Sequence, residues 1–396
     1  MSSRIDDTPS RVTSHESAIK IGITGQAGFI GTHLFNTLGL YPDKYKRIPF
    51  DDNYFQSKDR LELFVKECDV IIHLAAMNRH HDPEVIYQTN IGLVRQLIDV
   101  LEKTKSSPHV LFASSTQEER DNLYGKSKKE GRELLELWAD KNSGQFTGFI
   151  IPNVFGPFGN PYYNSVVATF CHQLTHNEQP RIDVDGEMKL IYVAELVQHF
   201  MEQIEDIKQN HKNDVVIETI QLQHTTEVKV SVILKVLESY KADYFEKGEI
   251  PPLNTSFDRN LYNTFLCYFD HKSFFPFKLK LNTDQRGSFI ETIKLNSGGQ
   301  VSFSTTIPGI TRGNHFHTRK AERFAVIKGK ALIELRRIGT KEVLSFKLDG
   351  NQPSFVDMPV WYTHNITNIG EEELYTIFWI NEHFNSKDPD TFFENV

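Results

Sequence analysis

The sequence has few cysteines, no long apolar run and no excess of basic charge. Cys68, Cys171 and Cys267 are odd in number and far apart, without CxxC spacing, so we expect reduced, buried thiols rather than disulfides or a zinc knuckle. The strongest apolar run, residues 70–77, is much shorter than the roughly twenty residues of a membrane span. A net charge of -8 offers no basic surface for nucleic acid. These absences predict a cytoplasmic protein with no membrane insertion and no nucleic-acid partner.

The amino-terminal segment differs in composition from the rest of the chain. Residues 1–18 are rich in Ser, Thr, Asp and Arg and lack the apolar core of a secretory signal, so a disordered arm is predicted there. The remaining composition, within 396 residues that are 39% hydrophobic and 24% charged, is that of a globular protein with two or three domains.

Residues 19–248 have the pattern of an α/β domain. Short apolar runs alternate with longer segments of helical period, which is typical of a parallel sheet covered by helices, and a Rossmann-type doubly wound sheet is predicted. The predicted strands are Ile19–Thr24, Arg47–Phe50, Asp69–Ala75, Val110–Ser114 and Phe146–Ile151, and the predicted helices are Phe29–Leu38, Asp59–Val65, Pro83–Lys103 and Tyr124–Lys141.

The pattern changes towards the carboxyl-terminal third. Residues 249–275 combine Pro, Asn and aromatic residues without a clear period and are predicted to be a linker. Residues 276–396 contain short runs rich in β-branched and aromatic residues that are separated by Gly, Asp and Asn, and they predict an all-β jelly roll or small barrel. These runs are Gln300–Thr306, Glu322–Ile327, Lys330–Leu335, Val343–Leu348 and Glu373–Ile380.

A glycine-rich turn follows the first predicted strand and opens the first predicted helix. Gly25, Gly28 and Gly31 form a GxxGxxG pattern, with Phe29 and Ile30 in its second half. Glycines allow the backbone to approach a pyrophosphate, and the helix amino terminus offers free N–H groups to it. In this strand-turn-helix context, the turn predicts a dinucleotide site.

An acidic residue lies where the adenosine ribose of such a cofactor would be. Asp51 follows Gly31 by about twenty residues, and a carboxylate there favours the ribose hydroxyls of NADH. Lys44, Lys46 and Arg47 are close enough in sequence to meet the 2′-phosphate of NADPH. Both NADH and NADPH therefore stay open.

A tyrosine and a lysine four residues apart provide a proton-transfer pair. Tyr124 and Lys128 share one face of a predicted helix, so the ammonium is expected to lower the phenol pKa. Ser115, at the end of the preceding strand, is placed to hydrogen-bond a reacting carbonyl.

These motifs resemble the extended short-chain dehydrogenase/reductase family over residues 19 to 240. Further matching motifs are His73-Leu74-Ala75-Ala76, Asn90 and the run from Pro152 to Pro157. The resemblance implies that Ser115, Tyr124 and Lys128 are catalytic. It also implies that the cofactor is bound by Leu74, Ala75, Ala76, Asn90, Tyr124 and Lys128, and that the sugar nucleotide faces Asn153, Asn164 and Ser165.

The chain departs from that family at two positions. Eight residues separate Ser115 from Tyr124, fewer than in many relatives, and Ile150 replaces an arginine that often precedes the Pro-Asn motif. Ser114 and Thr116 therefore stay open as alternatives to Ser115.

A second constellation lies in the all-β region. His315 and His317 are two apart, so on a strand they point to one face, and Glu322 and His364 could complete a site of three imidazoles and a carboxylate. Such a set suits Zn²⁺, the first expectation, or Fe, Mn or Ni. The spacing, with Gly313 before the first histidine, resembles the cupin metal pattern.

A metal-free reading of the same region is also open. The segments Asp284–Phe289 and Arg312–His315 resemble sugar 3,5-epimerases of the rhamnose pathway, which share the barrel and use a histidine base without metal. Glu322 stands where those enzymes carry a lysine, which favours a metal. His315 is thus either a ligand or a catalytic base.

The order of the two regions resembles the bifunctional enzymes of capsular polysaccharide synthesis. The likeness includes Asn164–Phe170 and Trp379–Glu382. It implies that the cupin domain epimerises C3 of a UDP-4-keto-6-deoxy-HexNAc and that the reductase domain then reduces C4 with NADH or NADPH, on the route to N-acetyl-L-fucosamine. The UDP moiety rests on this resemblance. Alternatives are a single-function 4-ketosugar reductase or epimerase with an organising cupin, and a binding protein with vestigial sites. A homodimer or tetramer is expected.

Overall fold

The amino-terminal half is built on a six-stranded parallel sheet with helices on both faces. The computed structural model describes residues 17–210 and 216–396, so nearly all of the predicted arm lies outside the described residues. The strands of this half are β1 Ile19–Thr24, β2 Tyr45–Ile48, β3 Val70–His73, β4 His109–Ser115, β5 Gln145–Ile151, β6 Asn153–Phe155, β7 Glu187–Tyr192, β8 Ile217–Gln221 and β9 Thr226–Lys229. Its helices are α1 Phe29–Leu38, α2 Lys58–Glu67, α3 Pro83–Thr104, α4 Leu123–Asn142, α5 Val166–Thr175, α6 Val193–Asn210 and α7 Val230–Tyr240.

The strand order of the large sheet fixes where a ligand can bind. The order is β2-β1-β3-β4-β5-β8, and all pairs are parallel. Because β1 lies between β2 and β3, the winding direction reverses there. A crevice opens at the carboxyl ends of β1 and β3, as expected for a doubly wound sheet. The predicted Rossmann-type fold is confirmed.

Burial of the strands on both faces explains this layered arrangement. Ile21 and Ile23 belong to a core formed with α1 and α6, whereas Ile71 belongs to a core formed with α2, α3 and α4. Continuous apolar strands of this kind are stable only when helices cover both faces. Among the helices in the described ranges, none combines the length and low polarity that a bilayer span requires. The three cysteines are free, and two of them are buried.

The segment predicted as a linker is folded. It contains α8 Ser256–Phe265 and α9 His271–Phe274. Leu261, Tyr262 and Phe265 are buried in a core that also includes the small sheet β6-β7-β9 and residues from the carboxyl-terminal barrel. The aromatic residues that obscured the period in the sequence are therefore core residues that join the two parts of the molecule.

The carboxyl-terminal region is an antiparallel barrel of cupin type. One five-stranded sheet has the order β10-β18-β15-β20-β13, the other has the order β17-β16-β19-β14-β21, and β11-β12 form a hairpin. The strands are β10 Phe277–Lys278, β11 Leu281–Asp284, β12 Gly287–Ile290, β13 Gln300–Thr306, β14 Thr311–Phe316, β15 Glu322–Lys328, β16 Lys330–Arg337, β17 Val343–Asp349, β18 Ser354–Met358, β19 Tyr362–Asn368, β20 Leu374–Ile380 and β21 Phe392–Phe393.

A buried ion pair joins the barrel to the rest of the chain. The Arg323 guanidinium donates to both carboxylate oxygens of Asp357 at 2.7 and 2.8 Å, and it lies 3.6 Å from the centre of the Phe355 ring. The Tyr244 hydroxyl donates to the same carboxylate at 2.8 Å, and Arg323 also donates to the carbonyl of Gly248. The outer face of this sheet is thereby fixed against the segment after α7.

A second contact joins α1 to the barrel. His33, on the helix that follows the glycine turn, lies edge-on to Trp361 with ring centres 6.0 Å apart. Trp361 packs with Phe316 and Val360 next to the predicted metal ligands. The dinucleotide half and the barrel are thus in direct contact close to both predicted sites.

Candidate active sites

The glycine turn lies against the loop that follows β3. Gly25 has a φ of +70°, and a Cβ atom there would come within 2.8 Å of the Ala75 nitrogen. Only glycine fits this combination of left-handed backbone and close approach. Helix α1 begins at Phe29 with Gly28 as its N-cap, so Ile30 and Gly31 lie in its first turn. The predicted strand-turn-helix arrangement is present, with Leu74, Ala75 and Ala76 beside it.

Asp51 lies three residues beyond the end of β2 and is exposed. Its carboxylate accepts a hydrogen bond from the Asn53 nitrogen at 2.9 Å. The side-chain oxygen of Gln26, inside the glycine turn, accepts from the Phe50 nitrogen at 3.1 Å and ties the turn to this segment. The predicted strand, Arg47–Phe50, was two residues too late, yet Asp51 still lies next to the turn.

Two of the basic residues near this strand are engaged elsewhere. Arg47 donates to the Phe35 carbonyl at 3.0 Å, and Lys44 donates to Glu205 at 3.3 Å. Neither is held in a position that points to a cofactor phosphate.

Asn90 connects the loop after β3 to helix α4. Its amide is buried, accepts from the Met77 nitrogen at 2.7 Å, and donates to the Met77 carbonyl at 3.1 Å and the Ser127 hydroxyl at 3.0 Å. In this arrangement the predicted cofactor residue orders the loop that lines the crevice.

The predicted catalytic residues lie at the end of β4 and the start of α4. Strand β4 ends at Ser115, and α4 begins at Leu123, capped by Asn122, whose side chain accepts from the Gly125 nitrogen at 2.7 Å. Ser115 accepts from the Gln117 nitrogen at 3.2 Å, whereas Ser114 donates to Glu118. Ser114 is therefore committed to a buried carboxylate, which leaves Ser115 as the better candidate of the two.

Lys128 is buried one turn after Tyr124. Its ammonium lies 4.7 Å from the centre of the Phe112 ring. Burial lowers the pKa of Lys128 to about 8, and the nearby Glu118 opposes this shift. Glu118 is itself held by Arg132 at 2.9 Å.

The pKa of Tyr124 differs from the sequence prediction. Burial, together with Tyr163, raises it to about 12, so the expected lowering by Lys128 is wrong for the protein without cofactor. The reason is that loss of hydration on burial destabilises the charged phenolate relative to the neutral phenol. The phenol is thus a neutral proton donor at physiological pH.

Asn164 and Ser165 line a cavity of about 300 Å³ that also includes Arg79 and Tyr163. The Tyr163 hydroxyl accepts from the Asn78 nitrogen at 3.2 Å, and Arg79 donates to the Tyr163 carbonyl at 3.0 Å. Tyr163, which lines this cavity, is also one of the groups that raise the pKa of Tyr124. Asn153 is exposed and donates to the Lys189 carbonyl at 3.3 Å instead.

The four predicted metal ligands come together in the barrel. One ligand atom from each of His315, His317, Glu322 and His364 lies within 4.8 Å of the others. Glu322 Oε2 is 3.4 Å from His317 Nε2 and 3.2 Å from His364 Nε2. These three atoms are buried and have no hydrogen-bond partner within the described ranges. Because orphaned buried polar atoms are costly, their convergence fits a cation bound between them.

Hydrogen bonds at Nδ1 of His317 and His364, on the side of each ring away from Glu322, determine where the ring proton lies. His317 Nδ1 faces the Asp390 carbonyl, and His364 Nδ1 faces the Tyr362 carbonyl at 3.3 Å. A carbonyl only accepts, so each Nδ1 carries a proton, and in the neutral imidazole each Nε2 then has the lone pair that a cation requires. Such outer hydrogen bonds are typical of metal-binding histidines.

The charges in the cluster are strongly coupled. Burial alone would raise the pKa of Glu322, but His317 and His364 outweigh it and hold this pKa well below its ordinary range. Burial, with the two neighbouring imidazoles, lowers the pKa of His315 to about 4. A carboxylate and a neutral imidazole are the forms that bind a divalent cation.

A bulge in β14 places His315 beside His364. Gly313, with a φ of +103°, and Asn314, with a φ of +58°, interrupt the register with β19, so that His315 pairs with His364. A Cβ atom on Gly313 would lie 2.7 Å from the His364 carbonyl oxygen. The glycine of the motif is therefore needed for the geometry of the site.

Three residues near the sites were missed in the sequence. Arg79 follows the His-Leu-Ala-Ala motif and Glu118 lies between Ser115 and Tyr124, so their positions beside the motifs were a usable signal. Asp390 contacts His317 across 73 positions of sequence, and no local pattern indicates that contact.

Both halves of the chain match known protein families. Residues 21–217 match the NAD dependent epimerase/dehydratase family, and residues 282–392 match the polysaccharide biosynthesis C-terminal domain. The fold, the sites and these matches define an NAD(P)-dependent nucleotide-sugar oxidoreductase of polysaccharide biosynthesis.

Two relatives that align over nearly the whole chain, and one that aligns over part of it, narrow this class. UDP-2-acetamido-2,6-beta-L-arabino-hexul-4-ose reductase of Pseudomonas aeruginosa is 31% identical over 94% of this chain and 98% of its own length. The crystal structure of the capsular polysaccharide assembling protein CapF from Staphylococcus aureus is 34% identical, with a TM-score of 0.61, over 95% of this chain and 100% of CapF. The spore coat polysaccharide biosynthesis protein SpsL of Bacillus subtilis is 28% identical over 28% of this chain and 82% of SpsL. The chain belongs to the family of capsular polysaccharide synthesis enzymes that the Pseudomonas reductase and CapF represent.

Proposed function

We propose that this protein converts a UDP-4-keto-6-deoxy-HexNAc in two steps. The barrel epimerises C3, and the amino-terminal domain then reduces the C4 ketone with NADH or NADPH, on the route to N-acetyl-L-fucosamine. The name of the Pseudomonas relative, a hexul-4-ose reductase, supports the C4 ketone and the UDP group. A homodimer or tetramer belongs to the same proposal, and the exposed Val301 and Phe303 on β13, an end strand of its sheet, support it.

The reductase step uses the Tyr124–Lys128 pair. A bound nicotinamide would supply the hydride for C4. As negative charge develops on the C4 oxygen, the Tyr124 phenol donates its proton to that oxygen, and Ser115 donates a hydrogen bond to it. The buried Lys128 ammonium stabilises the phenolate that remains. The neutral state of Tyr124 suits this direction of reaction.

The epimerase step uses the acidity of the C3 proton. A ketone at C4 makes this proton removable, and return of a proton to the opposite face inverts C3. His315, His317, Glu322 and His364 would hold a divalent cation, Zn²⁺ in the first place, which acts as a Lewis acid toward bound oxygen. His315 is the most exposed of the four, so it serves either as the fourth ligand or as the base that moves the C3 proton.

One observation carries this proposal. The buried Nε2 atoms of His317 and His364 and the Oε2 atom of Glu322 converge without hydrogen-bond partners in the described part of the chain. The same protein also has the residues expected of a reductase. A barrel that served only as a scaffold would not need unsatisfied polar atoms in its interior.

Proton exchange at C3 tests the two-step reaction. The full chain, incubated with the 4-keto sugar in deuterated water without nicotinamide, should incorporate deuterium at C3. His315→Ala should abolish this exchange, and Tyr124→Phe should retain it while reduction falls by about 10²-fold or more. Wild-type protein that reduces the sugar but exchanges no C3 proton would refute the epimerase role.

One observation favours a single-function 4-ketosugar reductase as the alternative. The outer face of the barrel is buried through Arg323 and Asp357 against the segment after α7, as expected if the barrel mainly organises the reductase. Under this alternative, His315→Ala leaves reduction of the C3-epimerised ketone unchanged, and no exchange is seen in any variant.

A further inference from the structure

The carboxylate of Asp390 organises the turn between two predicted metal ligands. It accepts hydrogen bonds from three consecutive backbone nitrogens, those of Thr318 at 3.1 Å, Arg319 at 3.0 Å and Lys320 at 3.1 Å. It also accepts from the Thr318 hydroxyl at 2.6 Å. Asp390 is 4% exposed, so these bonds are shielded from water. This one carboxylate therefore binds three consecutive backbone N–H groups of the turn between His317 and Glu322.

The backbone of Asp390 acts on His317 directly. Its carbonyl accepts the Nδ1 proton of His317, which leaves Nε2 directed at Glu322. Asp390 has a φ of +43°, a conformation that side chains other than Asn and Asp seldom adopt. The hydrogen bonds of its carboxylate fix this conformation and, with it, the position of the carbonyl.

The chain on either side of Asp390 contacts other parts of the cluster. Residues 388–394, which we call the C-terminal strap, include β21, which pairs with His315 and Phe316 of β14. The Glu394 carbonyl accepts from the Thr363 hydroxyl, next to His364, and the Pro389 carbonyl accepts from the buried Lys320 ammonium at 2.7 Å. One strap thus reaches the neighbourhood of three of the four predicted ligands.

We propose that the C-terminal strap preorganises the metal centre of the barrel and that Asp390 is its positioning residue. The inference rests on the proposed metal centre. It assigns a role in that centre to residues that are not themselves ligands of the cation. Without the Asp390 carboxylate, the turn and the carbonyl that orients His317 lose their common anchor, and the cation must then order them as it binds. Loss of such outer hydrogen bonds typically lowers metal affinity about 10- to 100-fold.

Asp390→Asn tests this role without changing the backbone preference, because Asn also tolerates positive φ. Both carboxylate oxygens accept backbone N–H groups, so either orientation of the amide sets its NH₂ group against a donor. The metal-free full chain is titrated with Zn²⁺ against a chromophoric chelator, and the absorption spectrum is recorded with Co²⁺. We expect Zn²⁺ affinity to fall at least about 10-fold and the Co²⁺ bands to shift.

Asp388→Asn is the matched control. Asp388 lies on the same strap and pairs with Arg319 at 2.7 Å on the surface, without contact to the turn nitrogens. This variant should keep wild-type Zn²⁺ affinity and the wild-type Co²⁺ spectrum. Equal affinities for Asp390→Asn and wild type would overturn the inference.

Folding and function are separated from the positioning role by two further measurements. NADPH binding reports whether the remainder of Asp390→Asn is folded. If Asp390→Asn does not bind NADPH, the variant Thr318→Val is used in its place, because it removes the hydrogen bond from the Thr318 hydroxyl to Asp390. An unchanged Zn²⁺ affinity of Thr318→Val would then refute the inference. Wild-type protein that binds neither Zn²⁺ nor Co²⁺ contradicts the metal centre and the strap together. Metal binding without C3 exchange contradicts only the proposed reaction.

Discussion

Glu118 is the residue whose charge opposes the effect of burial on the pKa of Lys128. It lies buried between Ser114 and Arg132 and raises the pKa of Lys128, which burial lowers to about 8. In the proposed reduction, proton donation by Tyr124 would leave a phenolate that a charged Lys128 stabilises. Reduction should therefore slow as pH rises through about 8.

Glu118→Gln should move this loss of activity to lower pH. Without the negative charge of Glu118, the lowering of the Lys128 pKa by burial is less opposed. Lys128 therefore loses its proton at a lower pH. We expect the ratio of kcat/KM at pH 6.5 to that at pH 9 to rise about threefold or more, measured for ketosugar reduction. Glu136→Gln is the control, because Glu136 also pairs with Arg132, at 2.8 Å, but is not among the charges that act on Lys128. Identical pH profiles for Glu118→Gln and wild type would contradict this role.

At the residue scale, the sequence pointed to residues that stand in motifs. Ser115, Tyr124, Lys128 and the four predicted metal ligands of the barrel stand in such motifs, where residue type and short spacing suggest a chemistry, and their roles stay predictions. The pKa of Tyr124 was predicted in the wrong direction because burial, which depends on the whole fold, dominates it. Asp390 was missed because its partners lie about 70 positions away.

At the scale of elements, the bulge in β14 should be disturbed by the addition of a single Cβ atom at Gly313. Gly313→Ala adds a Cβ 2.7 Å from the His364 carbonyl at a φ of +103°. We expect a loss of about 1 to 3 kcal/mol in the free energy of unfolding, together with weaker Zn²⁺ binding, because His315 and His364 must move apart. Denaturant unfolding and chelator competition measure the two effects.

Gly298→Ala provides the comparison for that change. A Cβ at Gly298 meets no heavy atom within 4 Å, so this variant should keep wild-type stability within about 0.5 kcal/mol and unchanged metal affinity. If both glycine variants behave alike, the bulge does not determine the site.

The elements that were predicted best are those with a strong local signal. Strands β1 and β13 and helix α1 have the predicted bounds. The sequence marks these elements by an apolar run or by glycine turns at their ends. Strand β2 was shifted by two residues, since Tyr45 begins it within a charged stretch that reads as a loop. The segment 249–275 was read as a linker because aromatic residues that pack between two domains follow neither a helical nor a strand period.

At the scale of the whole molecule, the ion pair of Arg323 and Asp357 holds the barrel in place. Arg323→Met should reduce the free energy of unfolding by about 3 to 5 kcal/mol, because it leaves the Asp357 carboxylate buried and uncompensated. Thermal and denaturant unfolding measure the loss. The double variant Arg323→Met/Asp357→Leu, which removes both charges, should recover part of it, and a loss below about 1 kcal/mol in the single variant would contradict the role.

The same ion pair has a practical consequence for separating the two proposed activities. A fragment that began at residue 276 would bring the guanidinium of Arg323 and the ring of Phe355 into water and would lack the phenol of Tyr244. Side chains of each half are buried by residues of the other half. Truncated fragments are therefore unsuitable for this purpose. Single substitutions in the full-length protein are the better way to assign each proposed chemical step to one half.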